Sequence, residues 1–252
     1  MTKLQRNVIL ILIHEKGCDT LNIQGFQKTT LLDFPGHVAS TIFFGGCNFR
    51  CPFCHNGDLV LSPDKEPMFS TEEILSYLKK RQNILDGVCI TGGEPTLQTD
   101  LALFLGRIKE LGLAVKLDTN GYQPERLKTL CREGLVDYVA MDIKGAPYQY
   151  ARICGLSNMD FSRIEASVDF LKEGATDYEF RTTVVRELHK TEDFAAIGTW
   201  IAGAKAYYLQ GYQDSAQVIS HGFTAYSLTE LQAFQQLLTA WVPHVEIRGV
   251  AQ

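Results

Sequence analysis

Gly87-Val-Cys-Ile-Thr91-Gly-Gly-Glu-Pro-Thr96, then Leu101-Ala-Leu-Phe-Leu-Gly-Arg-Ile-Lys-Glu-Leu111, then Leu113-Ala-Val-Lys-Leu-Asp118 reads as one complete strand, helix, strand unit. The outer runs are short and rich in apolar and β-branched residues. Between them Leu101, Phe104, Leu105, Ile108 and Leu111 recur at helical spacing and form one continuous apolar stripe. Such stripes are core. A helix that carries the chain from one apolar strand to the next is how parallel strands are joined.

The same alternation runs outward in both directions. Candidate strands fall at 38–44, 87–91, 113–118, 136–142, 178–185 and 205–209. Ser70 with Glu73 makes a capping box that opens one helix, another follows Pro124, a further one spans about 160–173, the next starts near Thr191, and Ser227 with Glu230 caps the last. Six β-α units predict an α/β fold, an open or partial (β/α)6 TIM-like barrel of parallel strands.

The chain has 252 residues, 45 % of them hydrophobic, enough for one well-buried domain. No repeat, low-complexity tract or long linker divides it. We expect a single domain over 22–252 and an N-terminal extension over 1–21 that lies outside it, read as a misassigned start or an added segment. The apolar run Val8 to Ile13 is too short for a signal-peptide core or a membrane span, so no membrane association and a cytoplasmic location are expected. A net charge of -5 with interspersed signs offers no long basic run, which argues against nucleic acid as a partner.

Of the seven cysteines, Cys47, Cys51 and Cys54 cluster within eight residues, in Cys47-Asn-Phe-Arg-Cys51-Pro-Phe-Cys54-His55-Asn56. Cys18, Cys89, Cys131 and Cys154 stand apart and read as packing residues. Three thiolates spaced C-x3-C-x2-C can bind three irons of a cubane and leave the fourth open. A structural zinc held by the three cysteines and His55 is the rival, although adjacent Cys54 and His55 would chelate one ion awkwardly. On spacing alone iron-sulfur is preferred and zinc stays open, with a zinc-stabilised, non-catalytic protein as its consequence. The other unusual polar stretches are Gly92-Gly93-Glu94-Pro95-Thr96, Asp118-Thr119-Asn120-Gly121 and Asp142-Ile143-Lys144. Each closes or follows a predicted strand, where parallel β-α architectures place their chemistry.

The cysteine spacing, followed one β-α unit later by Gly-Gly-Glu, resembles the radical S-adenosylmethionine superfamily. Gly25-Phe-Gln-Lys-Thr29, Asp33-Phe-Pro-Gly36, Leu117-Asp-Thr-Asn-Gly121, Tyr138-Val-Ala-Met-Asp-Ile-Lys144 and Phe180-Arg-Thr-Thr-Val184 extend the resemblance to glycyl-radical-enzyme activating enzymes, above all those of anaerobic ribonucleoside-triphosphate reductase. It covers residues 22 to 210, and no ferredoxin-like insertion with further cysteines is present.

The resemblance implies a 4Fe-4S cluster on Cys47, Cys51 and Cys54, with S-adenosylmethionine chelating the open iron. Reductive cleavage would yield methionine and a 5'-deoxyadenosyl radical that abstracts hydrogen from a glycine of a partner enzyme. It places Gly92, Gly93 and Glu94 at the methionine amino group and Lys144 near the carboxylate. Asp118, Thr119 and Asp142 fall around the ligand or a nearby monovalent cation, and Phe53 at adenine, where its rival role is to shield the cluster. Strand alternation puts Glu179, Arg181 and Thr183 on one face, where the Arg181 fork could hold the carboxylate or pair internally with Glu179. His55 is expected behind the cluster ligands, and Gln210 at the ribose or adenine. A flavodoxin or ferredoxin is the expected electron donor. Activation of pyruvate formate-lyase and small-molecule radical chemistry are the alternatives.

Overall fold

A computed structural model of the protein describes residues 21–65 and 68–250; the N-terminal extension read from the sequence, Cys18 included and Leu21 excepted, lies outside the described residues. Strands β2 (Ala39–Phe44), β3 (Gly87–Gly92), β4 (Ala114–Thr119), β5 (Tyr138–Asp142), β6 (Asp177–Val184), β7 (Tyr207–Gly211) and β8 (Val245–Arg248) pair in sequential order, each parallel to the last. β1 (Ile23–Thr30) adds to β2 antiparallel and completes an open eight-stranded sheet. The α/β class and the open, partial TIM-like barrel hold. Two strands exceed the six expected. β1, Ile-Gln-Gly-Phe-Gln-Lys-Thr-Thr, has an exposed stretch and a glycine and two glutamines that weaken its strand signal, and β8 is only four residues long.

Six helices follow their sequence signals and two short ones, the first and the fifth, add to them: α1 (Gly57–Leu61), α2 (Thr71–Arg81), α3 (Leu101–Glu110), α4 (Pro124–Arg132), α5 (Tyr150–Ile153), α6 (Ser162–Lys172), α7 (Thr191–Trp200) and α8 (Leu228–Leu238). The Ser70 side chain caps α2 by accepting from Glu73 N, and α8 opens with the full Ser227–Glu230 box. Leu101, Phe104, Leu105 and Ile108 of α3 are fully buried against the sheet; each such side chain contributes about 1.5–3 kcal/mol of burial. Among the described residues no helix is long and apolar enough to cross a membrane.

The inner face of the sheet is polar above and plugged below. Between β1 and β2, the Asp33-Phe-Pro-Gly36 turn folds Phe34 under the strand starts. There it is 2 % exposed, stacks on His37 and fills the space where a side chain on Gly87 would stand. Asp33 accepts from Thr41 Oγ1 at 2.5 Å, fixing the turn. That family-like stretch thus closes the end of the barrel opposite the cysteines, which directly follow β2.

Candidate active site

A cleft of about 570 Å3, including its open mouth, lies at the carboxyl ends of the strands. Cys47, Cys51, Cys54, Gly92, Gly93, Asp118, Thr119, Asp142, Lys144 and Arg181 all line it. Ten of the residues singled out from the sequence therefore meet at one place; Glu94, Phe53, His55 and Gln210 do not line it.

The cysteine loop is cross-tied to its surroundings. Cys54 N donates to Cys51 O at 3.0 Å, Arg50 N to Cys154 O at 2.8 Å, and Ser220 N to Pro52 O at 2.8 Å. The Arg50 guanidinium donates to the carbonyls of Cys47 and Phe49 at 2.6 and 2.7 Å. Burial pushes the Cys47 thiol up to about 12, helped by nearby Glu94, and raises Cys54 as well. Cys51 is the exception: a hydrogen bond from the Cys154 thiol draws it below the ordinary thiol value. Cys154, an isolated packing residue on sequence grounds, is thus a neighbour of the site.

Gly92 and Gly93 make the turn possible by approach to protein rather than ligand. Gly92 has φ +113°, and a β-carbon on Gly93 would overlap the Gly46 carbonyl. Gly93 N donates to Phe44 O at 2.8 Å and Glu94 N to Gly46 O at 2.9 Å, clamping the β3 turn to the cysteine loop.

The Glu94 carboxylate is fully buried and meets four donors: Thr96 N (3.0 Å), Thr96 Oγ1 (2.5 Å), Thr119 Oγ1 (2.8 Å) and Asn120 N (2.7 Å). It ties the end of β4 to the β3 turn. Burial pushes its carboxyl up despite those donors. Phe53 is 3 % exposed and meets the buried His189 ring edge-on. His55 turns toward the Gln213 carbonyl and the Tyr212 ring, and Gln210 does not line the cleft.

The floor of the cleft is an alternating chain of charge. Lys116 pairs with Asp118, Asp118 with Arg181 Nη2 (3.2 Å), Arg181 Nε with Asp142 (2.6 Å), and Asp142 with Lys144 Nζ (2.8 Å). Asp142 and Lys144 pair as their two-residue spacing allows. Arg181 does not pair with Glu179, which takes Arg248 and Tyr138 instead. Arg181 Nε and Nη2 engage the two carboxylates. Burial disfavours the Asp142 anion, yet Arg181 and Lys144 hold its carboxyl well below the usual range. Burial likewise disfavours the Lys144 ammonium, and Asp142 with Cys51 more than offsets it.

Three cations and two anions leave one positive charge in excess. Arg181 bridges the two carboxylates expected around a monovalent cation, Lys116 and Lys144 complete their pairing, and Thr119 Oγ1 meets Glu94 and Gly121 N. Lys116 was missed by the sequence reading, although a lysine two residues before Asp118 on an apolar strand must share its face.

The thiols fit a cluster. All three line one cleft and come from a single short loop. A cubane takes one thiolate per iron, so three thiols would hold three irons and leave the fourth open.

The Radical SAM superfamily pattern matches residues 41–195. A Methanocaldococcus jannaschii protein with the provisional name glycyl-radical enzyme activating enzyme is 32 % identical over 195 residues, covering 76 % of this chain and 80 % of its own. The pyruvate formate-lyase-activating enzyme of Clostridium pasteurianum is 32 % identical over 128 residues, 48 % of this chain and 52 % of its own length, so this chain spans about half of it. Among solved structures, Streptococcus suis SuiB bound to S-adenosylmethionine shares the fold with TM-score 0.65 at 14 % identity, over 81 % of this chain and 48 % of SuiB. The matched region spans the cysteine loop and the strands that build the cleft. The chain is therefore a radical SAM enzyme and belongs to the glycyl-radical-enzyme activating family.

Proposed function

We propose that the protein installs a glycyl radical on a partner enzyme, using a 4Fe-4S cluster on Cys47, Cys51 and Cys54. The observation that carries this reading is the shared cleft, in which three thiols face an ion chain with one positive charge in excess. When bound, the cluster and S-adenosylmethionine supply one-electron cleavage of the sulfonium to methionine and a 5'-deoxyadenosyl radical, which takes a hydrogen atom from glycine. The protein's own residues bind and orient. Lys144, 20 % exposed and carrying two ammonium protons beyond the one given to Asp142, is the group to receive the ligand carboxylate, and Arg181 holds Asp142 in place for it. The Gly92-Gly93 clamp fixes the β3 turn at the cysteine loop, so that ligand and thiols keep one geometry.

Anaerobic ribonucleoside-triphosphate reductase is the first candidate partner, on the quoted activase-like stretches. Pyruvate formate-lyase is the second, favoured by the likeness to its activating enzymes. A flavodoxin or ferredoxin would deliver the electron. Reduced, cluster-loaded protein mixed with S-adenosylmethionine and each glycyl-radical enzyme encoded beside it should give a glycyl radical doublet by electron paramagnetic resonance with one of them. No doublet with any, alongside 5'-deoxyadenosine release stimulated by a small metabolite, would overturn the proposal.

A further inference from the structure

The chain leaves the sheet after Asp142, so the residues that follow must find backbone partners outside the strand ladder. Ile143 N donates to Arg181 O at 2.8 Å, and Thr182 Oγ1 donates to Ile143 O at 2.5 Å. Lys144 is held by two side chains, one on each of its polar backbone groups. Its N–H donates to the Tyr150 hydroxyl at 3.2 Å, and the hydroxyl gives its own hydrogen to Asp142 O, also at 3.2 Å. Its carbonyl meets His189 Nε2 at 2.9 Å. A carbonyl can only accept, so that nitrogen carries the proton. Val185 N, which can only donate, meets Nδ1 at 3.0 Å and selects the same tautomer. The Val185 carbonyl, 3.3 Å from Nδ1, is already taken by His189 N at 2.9 Å.

Neither clamping side chain reaches the cleft. Tyr150 is 1 % exposed and His189 fully buried, and Lys144 lines the cleft while they do not. Both are locked from behind: the Tyr150 ring packs on Phe161 and Trp200, and the His189 ring on Phe53 and Phe194. Phe53 stands between Cys51 and Cys54, so one imidazole joins the cysteine loop to the backbone of the lysine. A β-carbon on Gly145 would overlap Ile153, so the chain just after Lys144 lies against α5, the helix that begins with Tyr150.

We propose that His189 and Tyr150 are positioning residues for Lys144: by fixing its backbone they place its ammonium where the carboxylate of S-adenosylmethionine is received. The inference rests on Lys144 receiving that carboxylate. A lysine stem is long and flexible, so its charge is aimed only if the root of the stem is fixed, and a misplacement of about 1 Å can cost about a hundredfold in rate.

The test compares S-adenosylmethionine with its decarboxylated analogue, by calorimetric binding to the full, cluster-loaded chain. Lys144→Met should cut the preference for the carboxylated ligand about tenfold or more, the worth of a hydrogen bond to a charged group. His189→Leu should lose most of the same preference and bind the analogue as the wild type does. His189→Gln, which keeps a side-chain N–H for the carbonyl, should retain it. Should His189→Leu load poorly, Tyr150→Phe, which removes a single oxygen, is read the same way. A merely structural role would weaken both ligands alike and leave the preference intact. That result in the loaded His189→Leu or Tyr150→Phe chain, beside a loss in Lys144→Met, overturns the inference alone. An unchanged preference in Lys144→Met overturns the reading of Lys144 beneath it.

Discussion

Cys51→Ala abolishes reductive cleavage of S-adenosylmethionine. Of the three clustered thiols Cys51 is the only one drawn toward the thiolate, by the Cys154 hydrogen bond, and it sits at the centre of the cross-tied loop. Thiolate is the form that binds iron, so its loss removes the best-prepared ligand. Substitutions behind metal ligands typically cost about 10–100-fold in affinity or activity; removing a ligand itself should exceed that and take 5'-deoxyadenosine formation to the detection limit. The fold should survive, because the exchange is small and the loop keeps its backbone ties to Cys154, Ser220 and Glu94. Unchanged circular dichroism with absent turnover is the expected pair of results. Normal turnover in this variant would mean that the cysteines have another purpose.

Arg181→Met costs about 3–5 kcal/mol of stability at neutral pH, the usual penalty for removing one partner of a buried ion pair. The guanidinium is 15 % exposed and bridges Asp118 and Asp142, at 3.2 and 2.6 Å, so its loss strands two carboxylates whose only remaining cations are Lys116 and Lys144. The pH dependence has a definite sign. Asp142 is held below its ordinary value of 3.8, so its contribution is fully present above that value and is lost as pH falls through the depressed folded one. In the variant the depression shrinks. The gap between wild type and variant in denaturant unfolding should be widest near neutrality and narrow below about pH 4. A gap under about 1 kcal/mol, the scale of an exposed pair, would show that the chain of charge is solvent-screened.

Much of the cleft was readable along the chain because strand geometry does the bringing together. Asp142 and Lys144 are two residues apart and share a face, and so are Lys116 and Asp118, though only the first pair stood out within a polar motif. What strand spacing does not give is partner choice across strands. Arg181 and Glu179 share a face of β6, yet Arg181 turns to β4 and β5 while Glu179 turns to Arg248 on β8, a strand too short to announce itself.

Glu94 shows a second limit. The resemblance places it at a ligand amino group, and what no pattern gives is that it heads a short 3-10 turn over Pro95–Leu97 and meets Thr96, Thr119 and Asn120 with its carboxylate. Only the folded chain brings Thr119 and Asn120 there.

Anaerobic reconstitution with iron and sulfide, followed by reduction and addition of S-adenosylmethionine, tests the central claim most directly. A brown, air-sensitive protein that releases 5'-deoxyadenosine and methionine in equal amounts is the predicted result. A colourless protein that retains zinc on the same cysteines and leaves S-adenosylmethionine intact would contradict it.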